Sequence, residues 1–310
     1  MTTDANSMPE SHLEPQPIAP APVSATRPFY WSVRRELWEN RSIYIAPLAV
    51  AALNVVGYAI STIGLPERRR AVLLLEPALQ RARIEQPFDM AALMLMATAF
   101  LVGVFYCLDA LHGERRDRSI LFWKSLPVSD LTSVLSKLSI PLLILSVITF
   151  AVTIVTQVIM VLWMSAVLLA NGLPLTTYSQ LPLFHSSLVL LYGLAALALW
   201  HAPIYAWLLV VSAWARRATF LWAVLPLLAL SAVERVTFHT SYVGSFIKYR
   251  LVGGMSEAFA FDPHGTHPTV DLPQLTPGNY LSTPGLWLGL IFAAALVAAA
   301  VWLRRSRGPL

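Results

Sequence analysis

Residues Ile140–Leu169 read IPLLILSVITFAVTIVTQVIMVLWMSAVLL, thirty positions without one charged side chain. An uncharged run of that length reads as a membrane-crossing helix, for which about 20 apolar residues suffice. At about 1.5 Å per residue it exceeds the bilayer, so it is expected to tilt or to project. Outward from it lie five more apolar runs: Ile43–Gly64, Met90–Leu108, Leu188–Ala213, Thr219–Val233 and Gly285–Leu303. In chain order Ile140–Leu169 is the third span. The fifth, at fifteen residues, is short for a full crossing, which puts Glu234 and Arg235 at the outer headgroup layer. With 56% hydrophobic and 13% charged residues and a mean hydropathy of +0.61, the chain falls outside the soluble globular class.

The segments between the spans carry the charge. Residues 1–27 are Pro-rich and read as a disordered tail, and 306–310 form a short second tail. Within residues 28–42, PFYWSVRRELWENRS, Phe29, Val33 and Leu37 recur at helical spacing among Arg and Glu, the pattern of an interfacial helix. Placing both termini inside gives fourteen Lys and Arg on that side against eight outside, so the positive-inside rule puts N- and C-termini in the cytoplasm. The first outer loop dissents with five arginines; its stretch AVLLLEPALQRARI reads as a surface helix. Residues 242–259, interrupted by Gly253–Gly254, suit a surface or re-entrant hairpin, and 262–284, with five prolines, suit extended coil. The net charge of +5 sits beside the spans and does not suggest nucleic acid.

Chemistry-bearing motifs are scarce. There is no P-loop, no H-E-x-x-H and no G-x-S-x-G, so no catalytic residues and no cofactor-binding residues are assigned. The lone Cys107 allows no intrachain disulfide. Asp262, His264, His267 and Asp271 offer metal-capable donors, but their spacing fits no rigid site, and no metal is assigned. Polar residues inside the spans are costly and therefore informative. Ser146, Thr149, Thr153 and Thr156, with Gln157 adjacent, fall on one face of the third span, and His201 lies in the fourth, two residues before Pro203. They read either as helix packing or as a translocation path.

The segment between the second and third spans is about thirty residues long, far more than a turn needs. Glu114-Arg115-Arg116-Asp117-Arg118 is a solvated charge run. Asp117 or Ser119 can N-cap a short helix carrying Ile120, Leu121, Phe122, Trp123 and Lys124, which Pro127 stops, and Ser129 with Asp130 caps the next. Four consecutive large apolar residues are too few to span and costly to leave in water. Taken alone, they divide evenly between docking a partner and anchoring in the membrane interface.

Residues 108–130, LDALHGERRDRSILFWKSLPVSD, resemble the cytoplasmic signature of bacterial type-2 ATP-binding-cassette exporter permeases, nearly continuously over twenty-three positions. A looser likeness extends over residues 28–305. The resemblance implies an all-α polytopic permease with six transmembrane helices, an N-terminal interfacial helix and a cytoplasmic coupling helix. It also implies a transport subunit rather than an enzyme, in the bacterial inner membrane, paired with a second permease copy. ATP and Mg would be held by separate cytoplasmic ATPase subunits, with no cofactor on this chain. Carried over, Glu114, Arg115, Arg116, Asp117, Arg118, Ile120, Leu121, Phe122, Trp123 and Lys124 would form the ATPase contact. The rival expectations are a polytopic membrane enzyme and a non-transporting membrane assembly subunit. The substrate is not legible.

Overall fold

The computed structural model describes residues 26–63, 75, 77–125, 128–172, 183–260 and 272–307. Among these the protein is all-α, with no strand beyond an isolated bridge between Phe259 and Leu275. In chain order the helices are α1 (Thr26–Glu39), α2 (Ser42–Ser61), α3 (Pro77–Ala110), α4 (His112–Arg116) and α5 (Ser119–Ser125). There follow α6 (Asp130–Ser139), a π-turn (Ile140–Ile144), α7 (Leu145–Ala170), α8 (Leu183–Trp214) and α9 (Thr219–Phe238). The chain closes with α10 (Tyr242–Ala258), α11 (Pro277–Ser282) and α12 (Pro284–Ser306). Six helical stretches are long and apolar enough to cross a membrane: α2, α3, α6 through α7, α8, α9 and α12.

The fourth span, α8, is the central post. It packs along α12 through small residues, Ala202 and Ala206 against Ala293, which let the two backbones approach. Around its lower half lies the main core, with Tyr106, Cys107, Val134, Leu138, Leu209 and Leu303. The fifth span stands at the edge, with almost every large apolar side chain exposed.

Three boundaries differ from the sequence reading. The expected surface helix in the first outer loop is, in its described part from Pro77, the beginning of α3 itself. Ile84 and Phe88 pack there against Tyr58, Met160 and Met164 of the first and third spans, and Arg81 is paired with Glu85 at 2.7 Å. The fifth helix runs twenty residues, not fifteen. Residues 242–258 form one helix and not a hairpin. Gly254 does not break it, because the missing side chain serves a contact: a Cβ there would lie 2.7 Å from Trp200 Cγ. The tails 1–25 and 308–310, the expected coil at 262–271 with its Asp and His residues, and Pro127 lie outside the described residues.

Glu234 caps the helix that follows its own. It reaches past the left-handed His239 to the start of α10 and accepts hydrogen bonds from the amides of Tyr242 (2.6 Å) and Val243 (2.8 Å) and from the Thr240 hydroxyl (2.8 Å). A carboxylate there satisfies donors that the helix itself leaves open and complements its dipole. Glu234→Ala should therefore fray the first turn of α10, read as faster hydrogen exchange at Tyr242 and Val243 with Gly254 and Ala258 unaffected. Unchanged exchange at both amides would refute the cap.

Candidate functional site

The long segment between the second and third spans is fastened to the bundle before it presents anything outward. α3 ends at Ala110, and the next two amides, of Leu111 and His112, both donate to the buried Ser212 hydroxyl at 3.0 and 2.9 Å. Arg115 then donates to the carbonyl of Ala213 at 2.7 Å, at the C-terminus of α8, where cations are favoured. Arg307, past the end of α12, donates to the neighbouring carbonyl of Trp214.

Behind this lies an ion-paired junction that joins five elements. Glu36 of α1 contacts Lys137 of α6 at 2.8 Å and Arg35 at 2.5 Å, and accepts a hydrogen bond from the Tyr106 hydroxyl of α3 at 2.8 Å. Glu114 of α4 contacts Arg35 (2.8 Å), Lys137 (3.2 Å) and Arg304 of α12 (3.3 Å). Arg304 also holds Asp130 at 2.5 Å. Three cations thus meet three anions, and Glu36, Lys137, Glu114 and Arg304 are all buried. Burial raises the pKa of the Glu36 carboxyl, but the charges of Lys137 and Arg35, with hydrogen bonds from Lys137 and Tyr106, outweigh it. Its net position is below the ordinary carboxylate value.

The short helix α5 is aimed by a left-handed residue, Arg118 at φ +60°, an unusual conformation for a side chain of this size. Asp117 closes α4 and does not cap α5, which begins at Ser119. Ser129 does cap α6, accepting from the Thr132 amide at 3.0 Å. On α5, Ile120 is buried, while Trp123 is half-buried with the Arg35 guanidinium 3.8 Å above its ring, tying the helix to α1 and to the junction. Leu121 and Phe122 remain 58% and 60% exposed at the tip.

The ten residues expected to form one contact surface therefore divide, with Trp123 half-buried between the two groups. Arg116, Asp117, Arg118, Leu121, Phe122 and Lys124 face outward. Glu114, Arg115 and Ile120 turn into the protein's own interior and hold the segment in place, which corrects their assignment to an exposed face. Glu36, Lys137, Arg304 and Tyr106 were not singled out by the sequence reading, although a signal exists. Glu36 falls on the apolar stripe of α1 with Phe29 and Val33, and Lys137 sits between the buried Val134 and Leu138. A charge on a buried stripe implies a buried partner.

In the third span, Thr149, Thr153 and Thr156 are buried, and each hydroxyl donates to the carbonyl four residues earlier at 2.7 Å. Gln157 reaches the carbonyl of Phe88 on α3 at 3.5 Å. These four lie at helix–helix contacts. Ser146 and His201 are brought together elsewhere, at a small pocket between the second, third and fourth spans. Among the described residues no group of His, Cys, Asp and Glu is arranged to hold a metal.

Fold and site together define an all-α, multi-pass membrane protein with an ion-paired junction at one end of its bundle. No family model, no curated protein and no solved structure matches the chain.

Proposed function

We propose that this chain is the membrane-spanning subunit of an ATP-binding-cassette exporter, seated in a bacterial inner membrane with both termini in the cytoplasm. It pairs with a second permease copy and carries no nucleotide chemistry of its own. Cytoplasmic ATPase subunits dock on α5. One observation carries the reading: Leu121 and Phe122, two large apolar side chains, are left exposed on a helix tied down by Trp123–Arg35 and the junction behind it. Exposing them has a cost that a protein partner removes. An apolar centre ringed by Arg116, Asp117, Arg118 and Lys124 matches how binding energy is distributed in interfaces. Preorganisation reduces the entropy lost on docking. The same ties let a push on α5 reach α1, α3, α6 and α12 together, which is what alternating access requires of a coupling element.

The test is whether a reading frame adjacent to this one encodes a P-loop ATPase and, with that ATPase, co-expression. Leu121→Asp with Phe122→Asp should weaken co-purification on the order of a hundredfold or more, two anchors of about 2 kcal/mol each being lost, while the permease still inserts. Undiminished co-purification, or labelling of a cysteine at position 121 by an impermeant reagent from outside the cell, would overturn the assignment.

A further inference from the structure

The third and fourth spans each carry a proline. Pro141 lies in the π-turn, where the Leu145 amide reaches the Ile140 carbonyl, and Pro203 has no amide to give to Leu199. Between the spans opens a cleft of about 680 Å³, lined by Leu135, Leu142, Leu143, Leu191 and Leu199 and overhung by Phe29 of α1. The two hydroxyls that line it, Ser139 and Ser146, donate within their own helix to the carbonyls of Ser136 (2.7 Å) and Leu142 (3.0 Å). Its wall therefore presents hydrocarbon. From Leu135 to Phe150 that wall runs about 22 Å at about 1.5 Å per residue, well over half of a bilayer core about 30 Å thick.

The cleft has a polar end. Ser146, Leu194 and Ala198 also line a second pocket of about 50 Å³ behind it, together with Phe100, His201 and Tyr205. That is room for one small polar group. Tyr205 is 4% exposed, and its hydroxyl makes no hydrogen bond among the described residues. His201 is committed on one side only: Nε2 lies 3.2 Å from the Leu251 carbonyl, so it carries the proton and Nδ1 is left as an acceptor. A phenol and an imidazole thus line a small chamber that shares Ser146, Leu194 and Ala198 with the hydrocarbon-lined one, and among the described residues no Asp, Glu, Lys or Arg lines either.

We propose that the paired chambers bind an uncharged amphiphile entering sideways from the bilayer, its alkyl body in the cleft and a hydroxyl head between Tyr205 and His201. An apolar pocket with a few convergent polar groups is the usual form of a small-molecule site. The absence of a counter-charge disfavours an ionised head, which would be desolvated without compensation. The proposal stands on the two chambers and does not require the docking reading.

The experiment uses the full chain in phosphatidylcholine nanodiscs and a long-chain fatty alcohol with a diazirine in its alkyl chain, mapped by peptide mass spectrometry. Label should concentrate on residues 142–150 and 191–205, and excess plain alcohol should compete it away. The matching carboxylate and trimethylammonium probes should label these segments weakly. Tyr205→Phe removes no protein hydrogen bond, so it should leave the thermal midpoint unchanged and weaken competition roughly fivefold, the worth of one net hydrogen bond. Ser146→Phe, which narrows the passage, should weaken it as well. Uniform labelling of all spans, equal labelling by the charged probes, or wild-type competition in both variants would overturn the proposal. So would cross-linking of Leu143→Cys to a second copy, which would give the cleft to a dimer contact.

Discussion

Lys137→Met should cost the protein about 3–5 kcal/mol, the penalty for leaving a buried charge without its partner. Lys137 is 2% exposed and bonds both Glu36 and Glu114. Without it the junction holds two cations against three anions in a place water does not reach. A shift of this size exceeds what most point substitutions produce and approaches total domain stability, so little extractable, monodisperse protein should remain. Adding Glu36→Gln restores the balance at two against two and should recover most of the loss, because a neutralised buried network is tolerated far better than a broken one. Arg116→Met is the control: its contacts with Asp117 and Asp109 are exposed at both ends, and it should be near neutral. The measurement is the unfolding midpoint in mild detergent across the four proteins. If Lys137→Met melted with Arg116→Met, or the double variant fell below the single, the junction would not be the element that ties α1, α3, α4, α6 and α12.

The same junction sets an acid limit. The Glu36 carboxyl is held below its ordinary 4.5, so the stability it contributes is present above that value and is lost as pH falls through the lowered pKa. Neutral and mildly acidic media should leave the fold intact, and the loss should begin only below about pH 4.5. The double variant, which lacks the carboxyl, should lose that part of the acid sensitivity.

The six spans are legible because hydropathy reports directly on where lipid lies. Helix ends are less so, since a helix can outrun the membrane wherever its extension finds protein to pack on. Ile84 and Phe88 do this at the start of α3, and Val134 and Leu138 do it below the third span. The short helix α5 is legible for the opposite reason, as an apolar knot that no span explains. What the sequence leaves open is which charges meet in the junction, although Glu36 and Lys137 each stand out on an apolar stripe. Glu36, Glu114, Lys137 and Arg304 are far apart along the chain, and ion pairing across such separations leaves no local periodicity. Gly253–Gly254 shows the remaining ambiguity. A glycine in a helical stretch signals either a break or a close approach, and only the position of Trp200 decides between them.

Gly103→Leu should be strongly damaging, because three helices meet at that position. Even a Cβ there would lie 2.9 Å from Tyr205 Cε1 of the fourth span and 3.2 Å from Pro141 Cβ in the π-turn of the third. Neither neighbour yields easily: the Tyr205 ring is packed against Phe100 and His201, and Pro141 is part of the backbone irregularity itself. Gly103→Ala should therefore cost about 1–3 kcal/mol as overpacking, and the Leu variant should prise the second span from the other two. The diagnostic is a cycle with Tyr205→Leu, whose smaller side chain gives the new methyl room. Residues in direct contact couple by about 0.5–3 kcal/mol, so Gly103→Ala should cost measurably less in the Tyr205→Leu background than in the wild type. Strict additivity of the two midpoint shifts would mean that Gly103 and Tyr205 do not touch. The second span would then pack on the fourth by some other face, and the chamber walled by Tyr205 would lose its floor.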